Sequence, residues 1–341
     1  GDLGGATKPE SIIMDGHKTV TATFEEISPD DPTVENVELT STSGTPGSGL
    51  DSDDLTCGYD LAGSATTAAT AWYVNSSPLM NLYMPMEGGE TNALMDYSGS
   101  GYNGIKGPGA SWSAAEGYGG YGAFTFDNSA GAFIDVGSSM PSGAYTKIAW
   151  VNANTRTCDN IISGDWSNAL WLTGDRLQAG HNGGWTNHVR DTEDFALNTW
   201  TFVAVTYDPN VESGQMILYK NDVEVDRNNS VPIHSCPTCT DPNQLWVGAF
   251  SRSPDNDPPH CNWNGLIDDA RVYDYALTPE QVAAMFHTGR NVIVSEETAA
   301  GDDWRCEVTP FSDTEVGATQ ASNTLSIVGA DDTDGDGIPD T

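Results

Sequence analysis

The chain has 341 residues and a formal charge of −36, with 13 Lys plus Arg against 49 Asp plus Glu. A surface so acidic repels nucleic acid and anionic membrane, which sets aside DNA and RNA binding, and no run of 18 apolar residues offers a membrane span. Abundant Gly, Ser, Thr and Asn with little helix-type periodicity predict an all-β protein, long enough for two cores.

Residues 1–27 end in Met14-Asp-Gly-His-Lys18-Thr-Val-Thr-Ala-Thr-Phe24, an apolar/polar alternation after a turn signal. A Pro/Asp-rich break at 28–33 precedes a strand at Val34–Leu39 and a Ser/Thr/Gly/Pro linker at 40–50. Two further strands follow, one around Cys57 and one around Trp72. From about Met80 strand signals recur at each turn, at 123–126, 133–136, 146–151, 200–207 and 216–225, with a hairpin signal at Tyr219-Lys-Asn-Asp222. One helix is predicted, Thr278-Pro-Glu-Gln281-Val-Ala-Ala-Met-Phe, with Thr as N-cap, Pro in the first turn and Gln at the capping-box position. Strand signals resume at 292–295, Trp304–Thr309 and Ser322–Val328.

Six cysteines, an even number, predict disulfides in an oxidising compartment. Cys236-Pro-Thr-Cys239 has no second CxxC and no thioredoxin-like βαβ pattern, and His234 and His260 fit no zinc spacing, so a structural role is expected for it. The tail Asp332-Thr-Asp334-Gly-Asp336-Gly337-Ile338-Pro-Asp340 carries carboxylates at loop positions 1, 3, 5 and 9, with Gly at 6 and the Ile338 carbonyl at 7. That is EF-hand-type Ca²⁺ spacing, in which alternate side chains converge on a hard cation. The chain reads as a piece of something longer.

Four resemblances attach to these residues. The order Cys57, Trp72, Cys306 resembles an immunoglobulin-type core, but Cys306 comes more than two hundred positions after the Trp, so a whole domain stands between the two halves. That resemblance implies a Cys57–Cys306 disulfide and puts Trp304 where a corner tyrosine is usual, its indole N–H a substitute donor. Cys158, Cys236, Cys239 and Cys261 are left with three possible pairings. Gly265-Leu-Ile-Asp268-Asp269-Ala-Arg-Val-Tyr-Asp-Tyr-Ala-Leu277 resembles the closing signature of laminin-G-like, concanavalin A-type jelly rolls, and Met86-Glu87-Gly with Asp96-Tyr-Ser-Gly their opening. The tail is similar to thrombospondin type 3 repeats, and residues 1–27 to the end of a β-grasp-like bacterial surface repeat.

The organisation expected is therefore a concanavalin A-like jelly-roll sandwich inserted into an immunoglobulin-like β-sandwich. A repeat end at 1–27 and a first immunoglobulin-like half at 31–79 come first. The jelly roll at 80–289, a second half at 290–330 and a calcium-binding connector at 331–341 follow. The jelly-roll resemblance implies a second Ca²⁺ site from Glu87, Asp96 and Asp269, with Asp268 as substitute. No paired-acid strand of the retaining-hydrolase type is present, and no Gly-x-Ser-x-Gly or phosphate loop, so no enzyme is expected. Of the aromatic residues in the middle of the chain, Trp171 and Trp246 alternate like core positions. Trp185 and Trp166, flanked by Gly, Asn and Asp, are the candidates for a glycan surface, with His181 beside them. The function expected is calcium-linked, non-catalytic recognition or adhesion at a cell surface, with a glycan as ligand and neighbouring repeats as partners. A structural filament unit and an accessory module of a polysaccharide-degrading enzyme are the alternatives.

Overall fold

The strand Tyr145–Ala153 lies at the centre of the largest sheet, antiparallel to Trp200–Asp208 on one side and to Asn264–Tyr273 on the other. A computed structural model of the protein describes residues 31–164, 168–182, 189–235, 241, 243–250 and 261–329. The repeat end at 1–27, Trp166, Trp185, Cys236, Cys239 and the calcium motif from Asp332 to Asp340 lie outside the described residues. The sheet has eight described strands. Val223–Asn228, Gln215–Lys220 and Trp200–Asp208 lie on one side of the central strand, and Asn264–Tyr273, Ala123–Asp127 and Ala110–Ser113 on the other, while Leu82–Met84 also pairs with Asn264–Tyr273. The two-residue period of a strand sends Ala149, Val151, Val203 and Val205 to one face and Ile148, Trp150, Phe202 and Ala204 to the other. Both faces are buried, which is why these strands read as almost continuous apolar runs.

A smaller layer faces the first set. Ile105–Lys106, Ile134–Asp135, Leu245–Val247 and Ile162–Gly164 form one four-stranded sheet; Cys158–Asn160, Asn168–Thr173, Arg176–His181 and Val189–Arg190 form another. The two meet along residues 158–164. Their inward side chains, among them Ile134, Val247, Ile162, Leu170, Leu172 and Leu177, complete the core between the layers. A Cys158–Cys261 disulfide ties the layer's edge strand to the approach to the closing strand, which selects one of the pairings the sequence left open.

The outer face of the large sheet is covered. Helix Pro279–Thr288 starts where Thr278 Oγ1 accepts the Gln281 N–H and ends at Gly289, whose φ of 83° suits a residue without a Cβ. Val282 and Met285 of this helix share a second core with Ile148, Trp150, Phe202, Ile217, Tyr219 and Tyr273. That core continues into Leu39, Leu55, Trp72, Trp304 and Phe311, which come from the two ends of the chain.

Those ends build a sandwich of their own from segments far apart in sequence. Pro32–Ser41, Leu55–Gly63 and Val292–Ile293 form one sheet; Ser48–Leu50, Leu325–Val328, Asp303–Phe311, Thr67–Val74 and Ser77–Pro78 lie in the other. A Cys57–Cys306 disulfide joins the two sheets across a sequence separation of 249. Trp72 stands opposite Cys306 in the strand register and meets Trp304 edge-on, with ring centroids 6.2 Å apart. The Trp304 indole N–H is buried without an acceptor, so the substitute corner hydrogen bond expected of it is not made. Residues 82–84 and 270–272 pair side by side, so the intervening domain leaves and re-enters the split sandwich at one place. No helix among the described residues is long and apolar enough to cross a membrane.

Candidate functional site

Where the two small sheets meet, Ile161 and Ile162 are consecutive and both fully buried in the core. Two successive inward residues break the strand's alternation, so Asn160 before them and Ser163 after them fall on the opposite, outer side. The register puts Asn160 beside Trp171 and Ser163 beside Trp246. Both tryptophans are half-buried, whereas Leu170, Leu172, Leu245 and Val247 around them are fully buried. The expectation that Trp171 and Trp246 lie inside is thus corrected: alternation is present, but the flanking aliphatic residues own the inner face.

On this side Asn160 and Ser163 lie between the two tryptophans, but both are fully buried, sealed beneath the face rather than presented on it. Ser163 Oγ donates to Asn160 Oδ1 at 2.7 Å, and Asn160 Nδ2 donates to the Cys261 carbonyl at 3.2 Å, next to the disulfide. Phe133 meets Trp246 edge-on, with centroids 5.1 Å apart at 81°. Asp135, opposite Trp246 in register, accepts the Gly137 N–H at 2.9 Å and a Gln244 side-chain N–H, both on Oδ1. Behind this face Lys147 is fully buried, its Nζ donating to the carbonyls of Ile162 at 3.3 Å and Asn168 at 3.1 Å and to Asn168 Oδ1. Burial holds its pKa well below the usual lysine range, and the amine props the layer from inside as a donor to three oxygens. Nothing in the sequence marked Lys147, which stands in an otherwise ordinary strand pattern.

His181 does not reach this face. It is buried between the layers, with Nε2 2.8 Å from the Tyr145 hydroxyl and Nδ1 2.7 Å from the Pro232 carbonyl. Burial pushes its pKa down to about 3, so it stays neutral and ties the core together. Its selection as a ligand-binding residue is therefore corrected.

The carboxylates expected to share a calcium ion part into two groups. Asp96 gives Oδ1 to the backbone N–H groups of Tyr83 and Ser98 and Oδ2 to that of Tyr102, each at 2.9 Å, so it organises its own turn. Asp269 accepts two bonds from Arg271, at 2.9 and 2.8 Å, and one from Arg290 at 3.1 Å. Burial pushes the Asp269 carboxyl up, but the two guanidiniums outweigh it and hold it below the usual range. Asp96 and Asp269 are thus engaged elsewhere, and among the described residues no three His, Cys, Asp or Glu form a metal-sized group. The arginines were the missing signal, since a buried acid two residues from an arginine in one strand can be neutralised locally.

Glu87 and Asp268 differ. Glu87 Oε2 accepts the Gly122 N–H at 2.9 Å and Asp268 Oδ2 the Tyr118 N–H at 3.0 Å, while Glu87 Oε1 and Asp268 Oδ1 are buried without a partner. Burial pushes Glu87 up to about 7 and Asp268 well above the carboxylate range, the charge of Glu87 adding to the latter. Two orphaned carboxylate oxygens fit a hard cation, which would draw its remaining oxygen ligands from backbone carbonyls.

Residues 125–283 match a family model described as the concanavalin A-like lectin/glucanases superfamily (Laminin_G_3). The domain is a concanavalin A-like jelly roll. Among curated proteins no match was found. Among solved structures the chain is similar to domain 4 of AbnA, a GH43 extracellular arabinanase from Geobacillus stearothermophilus, in complex with arabinotriose. The identity is 21%, the match covers 61% of this chain and 98% of that one, and the TM-score is 0.48. It is also similar to the receptor binding domain of botulinum neurotoxin type G, at 15% identity, 61% and 51% coverage and TM-score 0.46. A third similarity is to the ligand binding domain of botulinum neurotoxin serotype D in complex with N-acetylneuraminic acid, at 16% identity, 62% and 51% coverage and TM-score 0.43. The chain spans about half the length of the two neurotoxin domains.

Proposed function

We propose that this chain is a non-catalytic carbohydrate-recognition module of an extracellular or cell-surface protein. The observation that carries the reading is the outer face of the small layer, where half-buried Trp171 and Trp246 share one side and half-buried Asp135 and exposed Ile105 stand in the same row as Trp246. Sugar rings present apolar faces rimmed by hydroxyls, and an aromatic plane beside a carboxylate such as Asp135 matches both. Much of the opposite sheet's outer face is covered by the helix and the split sandwich.

The alternating acids of the edge hairpin have partners of their own. Glu224 is paired with Arg227 and Asp226 accepts the Arg190 N–H, both on the edge hairpin. Two disulfides support an oxidising compartment. Calcium belongs to the proposal at two places, at Glu87 and Asp268 beneath the loop that carries Tyr118, and at the motif from Asp332 to Asp340. The split sandwich we read as an immunoglobulin-type carrier that displays the jelly roll among neighbouring repeats of a larger surface protein.

A glycan array probed with the chain, once with Ca²⁺ and once with EDTA, tests the reading. Binding to a defined saccharide class that is lost in Trp246→Ala supports it. Silence under both conditions from a folded chain moves the assignment to a structural filament unit, and a catalytic domain elsewhere in the gene moves it to an enzyme's accessory module.

A further inference from the structure

We infer that the Trp246 end of the outer face selects neutral saccharides and rejects sialylated, sulfated and uronate-bearing ones; this rests on the carbohydrate reading above. Three groups border the Phe133–Trp246 ring pair. Asp135 is opposite Trp246 in register and spends Oδ1 on Gly137 and Gln244, so Oδ2 has no protein partner among the described residues. Asp241 accepts the Asn243 N–H at 2.9 Å on Oδ1 and the Ser138 hydroxyl on Oδ2, which carries a second carboxylate to the strand end beside Asp135. Ile105, next to Asp135 in the neighbouring strand, is 72% exposed and extends the apolar surface.

No described cation offsets these acids. Lys106, in the same edge strand as Ile105, is held by the Ala110 carbonyl at 3.0 Å and by Glu90 at 3.2 Å. Arg190 stands in the row of Trp171, on the far side of Gln178. At the usual strand spacing that is ~10 Å from Trp171 and, four strands from Trp246, roughly twice as far from the acidic end. A neutral sugar ring stacked on Trp246 gains the apolar contact and can donate a hydroxyl to Asp135 Oδ2, a charge-assisted bond. An anionic sugar in that position brings its charge beside a carboxylate with no described cation to pair it, and like-charge juxtaposition of this kind is a strong device of specificity.

The net charge of −36 repels anionic ligands from anywhere on the surface, so the test must separate the local acids from the global field. The full chain, Asp135→Asn combined with Asp241→Asn, and Trp246→Ala are titrated with neutral oligosaccharides and with carboxylated and sulfated counterparts of the same length. Ionic strength is held at ~0.15 M, where the distant field is screened within about 8 Å. The expected result is at least a tenfold preference of the parent for the neutral ligand, narrowed severalfold in the double Asn variant, with all binding lost in Trp246→Ala. Equal or tighter binding of the anionic ligands by the parent overturns the inference and leaves the carbohydrate reading intact. So does a preference that the double variant leaves unchanged. Absence of binding to either class, from a chain whose unfolding temperature is normal, overturns the inference and the reading together.

Discussion

Trp72, the core tryptophan of the split sandwich, donates its indole N–H to the Arg290 carbonyl at 3.0 Å, and the Arg290 side chain reaches Asp269 of the jelly roll at 3.1 Å. One residue at the exit of the inserted domain thereby ties both cores. Arg271 and Arg290 also lie over the Tyr83 ring, at 5.0 and 6.0 Å, which packs the entry strand against the same cluster. The junction is a buried cluster in which one carboxylate serves two guanidiniums, and it joins the inserted domain to the split sandwich.

Breaking that cluster should unfold both parts at once. Asp269→Asn removes the one carboxylate that accepts from both guanidiniums, and removal of one partner of a buried ion cluster costs about 3–5 kcal/mol. Denaturant titration followed separately by tryptophan fluorescence and by far-UV circular dichroism should show one coincident transition, shifted to lower denaturant. Two separated transitions would show that the domains fold independently.

The acid limb of stability should carry the signature of His181. In the unfolded chain a histidine titrates near pH 6.5, whereas burial lowers this one to about 3 in the fold. Between those values the unfolded state binds the extra proton, so the contribution is present above about pH 6.5 and is lost as the pH falls toward 3. At pH 4 the cost is about 3 kcal/mol, from 1.36 kcal/mol per pH unit. His181→Gln should flatten the difference in unfolding free energy between pH 7 and pH 4 relative to the parent. An unchanged difference would mean that His181 is not buried neutral.

Lys147 offers a charge-state test. Lys147→Met removes a buried donor whose charged form is disfavoured and should cost no more than about 1–2 kcal/mol, since the Gly164 N–H still serves Asn168 Oδ1 at 3.1 Å. Lys147→Arg places a group that cannot deprotonate in the same apolar interior and should be the worse variant by several kcal/mol. Thermal unfolding of the two variants decides the order, and a milder Arg variant would contradict the lowered pKa of Lys147.

Much of the architecture was legible because it rests on local chemistry. Thr278, Pro279 and Gln281 state a helix start in three residues, and Asn221, with φ of 59°, turns the hairpin signalled by Tyr219-Lys-Asn-Asp222. The site was less legible because it depends on which side of a strand is inside. Trp171 and Trp246 look like core residues by alternation alone, and only the consecutive Ile161 and Ile162, both drawn inward, reveal that the polar Asn160 and Ser163 share the tryptophans' face. The carboxylates expected to share a calcium ion part for a related reason. Asp268 and Asp269 are adjacent in sequence and both buried, because a register shift between Ile148 and Trp150 accommodates Asp269 at a φ of 54°. Which of the two meets arginine and which is left with an orphaned oxygen follows from tertiary packing, not from the motif.

Isothermal titration of a saccharide identified on the array into the parent, Trp246→Ala and Trp171→Ala tests the central claim most directly. Each variant is first checked for an unchanged unfolding transition. The account predicts at least a tenfold loss of affinity in Trp246→Ala, in line with the ~1–3 kcal/mol attached to removing one stacking aromatic, and a smaller but measurable loss in Trp171→Ala. Affinities equal to the parent's in both variants would place the binding surface elsewhere and contradict the account.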